Sequence, residues 1–127
     1  MAENKEYFTQ EMENGSIQIS EDVVASVTGM AVLEVEGVCG LSSNISTDIA
    51  EMLGMKTLSK GVRLSSTESG ALRIDCDVVA KFGQNIFELA KNVQENVKSS
   101  VESVTGLTVG EVNVTVCGIA LPKETKK

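Results

Sequence analysis

Two alternating stretches of sequence decide the fold: Val62-Arg-Leu-Ser-Ser66 and Leu72-Arg-Ile-Asp-Cys-Asp-Val-Val-Ala-Lys81. Apolar and polar residues alternate in both, as they do in strands that bury one face. Between them, Glu68-Ser-Gly70 has the length and the glycine of a three-residue hairpin loop. A register that pairs Thr67 with Ala71 places the apolar residues of both strands on one side of the hairpin.

In this register Leu64 lies opposite Ile74 and Arg63 lies opposite Asp75. A slip by one residue would move every apolar side chain to the wrong face, so the hydrophobic pattern, the turn and the charges all favour the same pairing. The sequence therefore predicts an antiparallel hairpin in which Arg63 is positioned to neutralise Asp75.

Two amphipathic helices flank the hairpin in the sequence. The first is predicted over 21–35, with Ser20 as its N-cap and Gly37 as its stop signal. The second begins at Asn85, which forms a capping-box-like pair with Glu88, and it ends at Gly106. Apolar residues recur at helical spacing in both: Val23, Val27 and Met30 in the first, and Ile86, Leu89, Ala90, Val93, Val97, Val101 and Val104 in the second.

Short strands around residues 17–19, 38–41 and 112–121 complete the pattern. The cheapest way to bury one stripe of each helix is to lay both on one face of a mostly antiparallel sheet. We therefore predict an α+β two-layer sandwich, for which a ferredoxin-like topology is one arrangement. Residues 43–60 are compatible either with a short helix over 47–53 or with a loop.

The pattern divides the chain into one domain and two tails. Residues 1–14 contain four glutamates and little to bury, and we expect them to form a flexible acidic tail. Residues 15–121 are predicted to form a single α+β domain, and residues 122–127 a basic C-terminal tail.

Composition excludes several classes of function. The 127 residues include no histidine, which removes the commonest general base and zinc ligand. A net charge of -7 and an aromatic content of 3% argue against nucleic-acid binding. We expect no enzymatic activity, no cofactor, and no catalytic or metal-binding residues.

The reactive side chains have ordinary structural interpretations. Cys39, Cys76 and Cys117 form no CxxC pair and match no usual zinc spacing, which favours reduced thiols in a cytosolic protein. Cys76 is expected to be buried and Cys117 to be exposed. Asp75 and Asp77 could act as paired carboxylates in a hydrolase, but a charged, solvated sheet face is the favoured interpretation.

Charge is distributed unevenly along the chain. Residues 1–55 contain ten acids and one base, whereas residues 56–127 contain eight acids and ten bases. Folding can interleave the two parts and erase this contrast. The alternative is a protomer with a mildly basic patch at Lys56, Lys60 and Arg63 that suits head-to-tail contacts or an acidic partner.

Membrane insertion is not expected. Residues 1–14 contain no apolar signal-peptide core, and the longest apolar runs are four residues, as in 30–33. If the protein works at a membrane, another protein must hold it there.

Several short motifs together resemble one family, the alkaline shock proteins, also called the envelope stress response family of Gram-positive bacteria. The resemblance extends from Gly15 to Ile119. Its motifs occur in the family's order: Gly15-Ser-Ile-Gln-Ile-Ser20, Glu34-Val-Glu-Gly-Val38, Leu58-Ser-Lys-Gly-Val62, Asn92-Val-Gln-Glu-Asn-Val97, and Thr105-Gly-Leu107 leading into Glu111-Val-Asn-Val114.

The resemblance implies a non-enzymatic cytoplasmic protein of cell-envelope homeostasis and alkaline stress. Some members self-assemble and are held at the inner face of the membrane by a separate anchor protein. Other members are linked to the control of fatty-acid synthesis through acetyl-CoA carboxylase. We therefore expect a homo-oligomer with a membrane-anchored protein partner, and the alternative is a regulatory module of a metabolic enzyme.

Overall fold

The computed structural model describes residues 7–41 and 61–121. These residues form six strands and two helices. In chain order the elements are β1 Tyr7–Met12, β2 Gly15–Ser20, α1 Glu21–Glu34, β3 Val38–Leu41, β4 Val62–Ser66, β5 Leu72–Lys81, α2 Ile86–Thr105 and β6 Val109–Ala120. The helix considered over 47–53 and the tail 122–127 lie outside the described residues.

The main sheet is built around β5. β6 runs parallel to β5 along one edge, and β4 and β3 run antiparallel to it, end to end, along the other edge. Alternate residues of β5 are buried, and they share one hydrophobic core with both helices. This arrangement confirms the predicted α+β sandwich, although β5 and β6 pair directly whereas a ferredoxin-like split would place a strand between them.

The predicted hairpin register is confirmed. β4 pairs with β5 so that Leu64 is opposite Ile74 and Arg63 is opposite Asp75. The loop closes where Thr67 N donates to the carbonyl oxygen of Ala71 at 2.8 Å. Local alternation and turn chemistry were sufficient to determine this pairing.

Helix α2 matches its prediction closely. The side chain of Asn85 accepts a hydrogen bond from Glu88 N at 3.0 Å, and Gly106 ends the helix in the left-handed conformation with φ 79°. One stripe of α2 is buried and consists of Leu89, Val93, Val97 and Val101. A helix with a single apolar stripe has only one face that it can bury.

Helix α1 begins as predicted but buries a different face. Ser20 caps it by accepting a hydrogen bond from Val23 N at 3.3 Å. The expected stripe of Val23, Val27 and Met30 does not form the buried face, because Val23 and Met30 are exposed. The buried positions are instead Val24, Ala25, Thr28, Gly29, Ala31 and Val32.

The N-terminal hairpin corrects the predicted flexible tail. β1 pairs with β2 in antiparallel register, so residues 7–12 form a strand rather than a tail. Phe8 and Ile19 lie opposite each other and pack against the core, while Gln10 Nε2 donates to the carbonyl oxygen of Gly106 at 3.0 Å. The glutamates suggested a solvated tail, but Phe8 packs against the core and Gln10 bonds to the C-cap of α2, and both contacts hold this strand on the domain.

Candidate interaction surface

The face of the sheet opposite the helices carries a network of charged side chains. Arg63 forms a two-pronged ion pair with Asp77, at 2.7 Å from Nη1 to Oδ2 and 3.2 Å from Nη2 to Oδ1. On the neighbouring strand pair, Arg73 Nε lies 3.4 Å from Glu111 Oε1. These pairs run across three strands and connect the two edges of the sheet through β5.

Asn113 links the remaining carboxylates of this face. Its Nδ2 donates to Asp75 Oδ1 at 2.8 Å and to Glu111 Oε2 at 3.0 Å. The prediction that Arg63 neutralises Asp75 is therefore wrong in its partner, although the register is right. The partner of Asp75 is Asn113 on β6, and the sequence of the β4–β5 hairpin alone does not reveal which strand lies beside it.

The pKa shifts follow these contacts. The hydrogen bond from Arg63, together with its charge, lowers the pKa of Asp77 below its usual value. The hydrogen bond from Asn113 and the charge of Arg73 lower the pKa of Glu111 in the same direction. General-acid chemistry at neutral pH needs a raised carboxyl pKa, so these two groups are tuned for charge pairing rather than for proton transfer.

The cysteines lie in different environments. Cys76 is completely buried in β5, and desolvation raises the pKa of its thiol to about 12, with smaller contributions from Asp75 and Asp77. Cys39 and Cys117 are exposed, as was expected for Cys117. Cys117 occupies a bulge in β6, and its Sγ lies 3.5 Å from the carbonyl oxygen of Val78. Across residues 7–41 and 61–121, no group of three or more acidic or thiol side chains is arranged to hold a metal ion.

The predicted basic patch is described only in part. Arg63 lies on the open sheet face, where its charge is paired with Asp77. Lys56 and Lys60 lie outside the described residues. The patch of Lys56, Lys60 and Arg63 therefore stays a prediction.

A shallow groove of about 410 Å³ separates the C-terminal end of α1 from α2. It contains neither Cys117 nor the pair Asp75 and Asp77. Three glutamates and two asparagines contribute to its lining, which consists of Glu34, Val35, Glu36, Asn92, Glu95 and Asn96. Asn96 Nδ2 spans the groove and donates to the carbonyl oxygen of Ala31 at 2.7 Å, so the groove is also a contact between the helices.

The outer face of α1 is apolar, a feature that sequence reasoning missed. Val23, Met30 and Leu33 are 48%, 53% and 41% exposed. Helix α2 differs, because lysines and glutamates occupy much of its exposed surface, as at Lys98 and Glu102, which are 3.7 Å apart. Its exposed apolar residues, Phe87 and Val104, lie near opposite ends and form no stripe. The composition of α1 could have indicated this exposed apolar face. The helix has apolar residues on every side, so it could not bury them all.

Comparison with known proteins identifies the family. Residues 9–121 match the alkaline shock protein 23 family, whose function is cell envelope-related. The chain belongs to this family. The match covers all elements from β2 to β6 and most of β1.

Relatives in Gram-positive bacteria match over most of their length. The chain is 38% identical over 113 residues to the uncharacterised protein Spy1614 of Streptococcus pyogenes, covering 87% of this chain and 93% of that protein. It is 36% identical to YloU of Bacillus subtilis, covering 83% and 88%. It is 32% identical to YqhY of the same species, covering 83% and 77%.

Solved structures with a similar arrangement include variants of the MamM C-terminal domain. One variant aligns with a TM-score of 0.47 and 14% identity, covering 77% of this chain and 96% of that domain. A second variant aligns with a TM-score of 0.46 at 15% identity. Neither helix among the described residues is both long enough and apolar enough to cross a bilayer.

Proposed function

We propose that this protein is a non-enzymatic interaction module of cell-envelope stress homeostasis. It self-assembles and is held at the cytoplasmic face of the membrane by an anchored protein partner. Membership of a cell envelope-related family supports the setting. The pairing of the charged groups on the open sheet face supports a role without chemistry, since Asp75, Asp77 and Glu111 each accept a hydrogen bond from a neighbouring side chain.

The outer stripe of α1 is the observation on which partner binding rests. Val23, Met30 and Leu33 lie at helical spacing and are about half exposed. Apolar side chains that recur along an exposed helix face are typical of a surface that packs against another protein. The apolar side of a partner helix would bury this stripe, as occurs in helix-in-groove recognition.

Cell fractionation with substituted proteins tests the proposal. Tagged wild-type protein, expressed in its native cells under alkaline stress, is expected in the membrane fraction and is expected to capture an integral membrane protein after cross-linking. Met30→Glu places a charge in the stripe and should release the protein from that fraction. Ser99→Glu, at an exposed position of α2 away from this stripe, is the matched control and should leave the association intact.

Two results would contradict this function. Wild-type protein that remains in the soluble fraction under stress has no membrane-anchored partner. Capture of a soluble carboxylase subunit in place of a membrane protein would favour the regulatory alternative. Circular dichroism of both variants distinguishes loss of binding from loss of folding.

A further inference from the structure

The outer edge of β6 is only partly covered. Within residues 7–41 and 61–121, β6 pairs with β5 alone. On the side of β6 that faces away from β5, side chains of α2 form hydrogen bonds with the first backbone groups of the strand. Lys98 Nζ donates to the carbonyl oxygen of Val109 at 3.1 Å, and Glu102 Oε2 accepts from Val109 N at 2.9 Å. Gln94 Nε2 donates to the carbonyl oxygen of Val112 at 2.9 Å.

This cover stops after Val112. Backbone groups of alternate strand residues point to the same side, so those of Val114 and Val116 face the same edge as those of Val112. Within the described ranges, no side chain forms a hydrogen bond with either residue. Exposed polar groups on a sheet edge are a template for pairing with another strand.

The uncovered edge also lacks the charged and proline residues that usually protect a sheet edge against pairing. Natural edge strands carry charged residues or proline that discourage association. Residues 112–121 contain no charged residue and no proline, and they are rich in valine. The nearest interruption is the extra residue Cys117, where Val78 pairs with Val116 and Val79 pairs with Gly118. The regular part of the uncovered edge is therefore short and centred near Thr115.

An exposed aromatic side chain flanks the same edge. Phe87 is 74% exposed and precedes Gln94 by seven residues, which places both on the same side of α2. Because α2 runs antiparallel to β6, moving about 10 Å from Gln94 towards Phe87 corresponds to roughly three strand residues beyond Val112. Phe87 thus lies beside the part of the edge that α2 leaves uncovered.

We propose that this uncovered edge, residues 113–117 of β6 together with Phe87, pairs with the same edge of a second copy of the chain. The strands run antiparallel around a two-fold axis at Thr115, so that Val114 lies opposite Val116 of the second copy. This inference rests on the self-assembly part of the proposed function and assigns it a surface.

A second copy fits this edge better than an unrelated strand. In antiparallel pairing about a two-fold axis, the same segment in each copy supplies the donors and acceptors for the other, so no second, complementary sequence is needed. The chain has a net charge of -7, so two copies repel each other except where their surfaces carry no charge. The β6 edge is such a surface, and pairing across it brings the two Phe87 side chains into the interface.

Sedimentation of the purified full-length protein tests the surface. The wild type is expected to form a dimer, and Phe87→Glu is expected to abolish it. Val104→Glu is the matched control, because Val104 is 65% exposed on the same helix but lies near its opposite end. Phe87→Glu protein that associates like the wild type would overturn the inference.

Amide hydrogen exchange tests the strand pairing itself. The amides of Val114 and Val116 should be protected in the wild type and unprotected in Phe87→Glu. The amide of Thr115 points towards β5 and should be protected in both, which provides an internal standard for folding. Rapid exchange at Val114 and Val116 in an associated wild type would exclude pairing through this edge.

The two proposals fail in different ways. A wild type that is monomeric at every concentration overturns both the edge pairing and self-assembly. An associated wild type with unprotected Val114 and Val116 overturns the edge pairing alone. Neither result depends on membrane fractionation, which uses a different surface and tests the anchored partner.

Discussion

Arg63 is paired with Asp77, although Asp75 is the residue directly opposite it in the hairpin. Asp75 instead accepts a hydrogen bond from Asn113 of β6 at 2.8 Å. Asn113 on β6 therefore binds the carboxylate of Asp75, and Arg63 on β4 binds the carboxylate of Asp77. Asp75 and Asp77, for which the sequence favoured a charged sheet face over a catalytic pair, are thus divided between two structural contacts.

The ion pair predicts a pH-dependent contribution to stability. The pKa of Asp77 is lowered in the folded state, so its contribution is present above the unfolded pKa and is lost as pH falls through the folded pKa. Asp77→Asn should therefore reduce the free energy of unfolding at neutral pH by at most about 1 kcal/mol, since Arg63 is exposed. Urea unfolding should show this difference shrinking in acid.

Glu68→Gln is the control for the Asp77 measurement. Glu68 lies in the hairpin loop and forms no ion pair with a described residue. Its substitution should leave stability nearly unchanged at both pH values. A difference between wild type and Asp77→Asn that is the same at neutral and acid pH would contradict the assigned role of the ion pair.

Gly37 is predicted to be sensitive to substitution. It has φ 97°, and a Cβ at this position would lie 2.6 Å from Gln84 Oε1 and 2.9 Å from Leu89 Cδ1. Gly37→Ala should lower the free energy of unfolding by at least about 1–2 kcal/mol from the backbone conformation alone. Thermal unfolding monitored by circular dichroism measures the change.

Gly40 provides the comparison for Gly37. It lies in β3, and a Cβ there would meet no atom of residues 7–41 or 61–121 within 4 Å. Gly40→Ala should be neutral or slightly stabilising, because alanine has less conformational freedom in the unfolded chain. Equal destabilisation by the two substitutions would mean that the conformation of Gly37 is not as described.

Because the N-terminal hairpin packs on the domain, substitution of Phe8 is expected to lower stability, although its sequence composition predicted a flexible tail. Phe8 is half-buried against the core, so Phe8→Ala should lower the free energy of unfolding by roughly 1 kcal/mol. Thr9 points to the opposite, exposed face, and Thr9→Ala should have a smaller effect. Chemical denaturation in which Phe8→Ala matches the wild type would support the flexible tail instead.

The three thiols should differ in reactivity. Cys39 and Cys117 are exposed, whereas Cys76 is buried with a pKa of about 12. Iodoacetamide at mildly alkaline pH should label Cys39 and Cys117, and it should label Cys76 only in denaturant, because the thiolate is the reactive species. Mass spectrometry of peptides locates the label. Labelling of native Cys76 at a rate similar to Cys117 would place it outside the core.

Local sequence determined the hairpin of β4 and β5 and the buried stripe of α2. In both cases polar residues dominate one face, with Val79 and Phe87 as the exceptions, so only one arrangement buries most of the apolar side chains. The motifs within Gly15–Ile119 likewise identified the family without any structural information. The charged face of the sheet followed from the same alternation, but the partner of Arg63 did not.

Tertiary structure decided which face of α1 is buried, whether residues 7–12 are ordered, and which part of β6 remains uncovered. Helix α1 has apolar residues on every side, so its own periodicity cannot select the face that contacts α2 and the sheet. Phe8 packs against the core and Gln10 bonds to the C-cap of α2, and both of these surfaces are supplied by residues far away in the sequence. Whether a side chain is buried depends on which residues pack against it, and in these three cases those residues come from distant parts of the sequence.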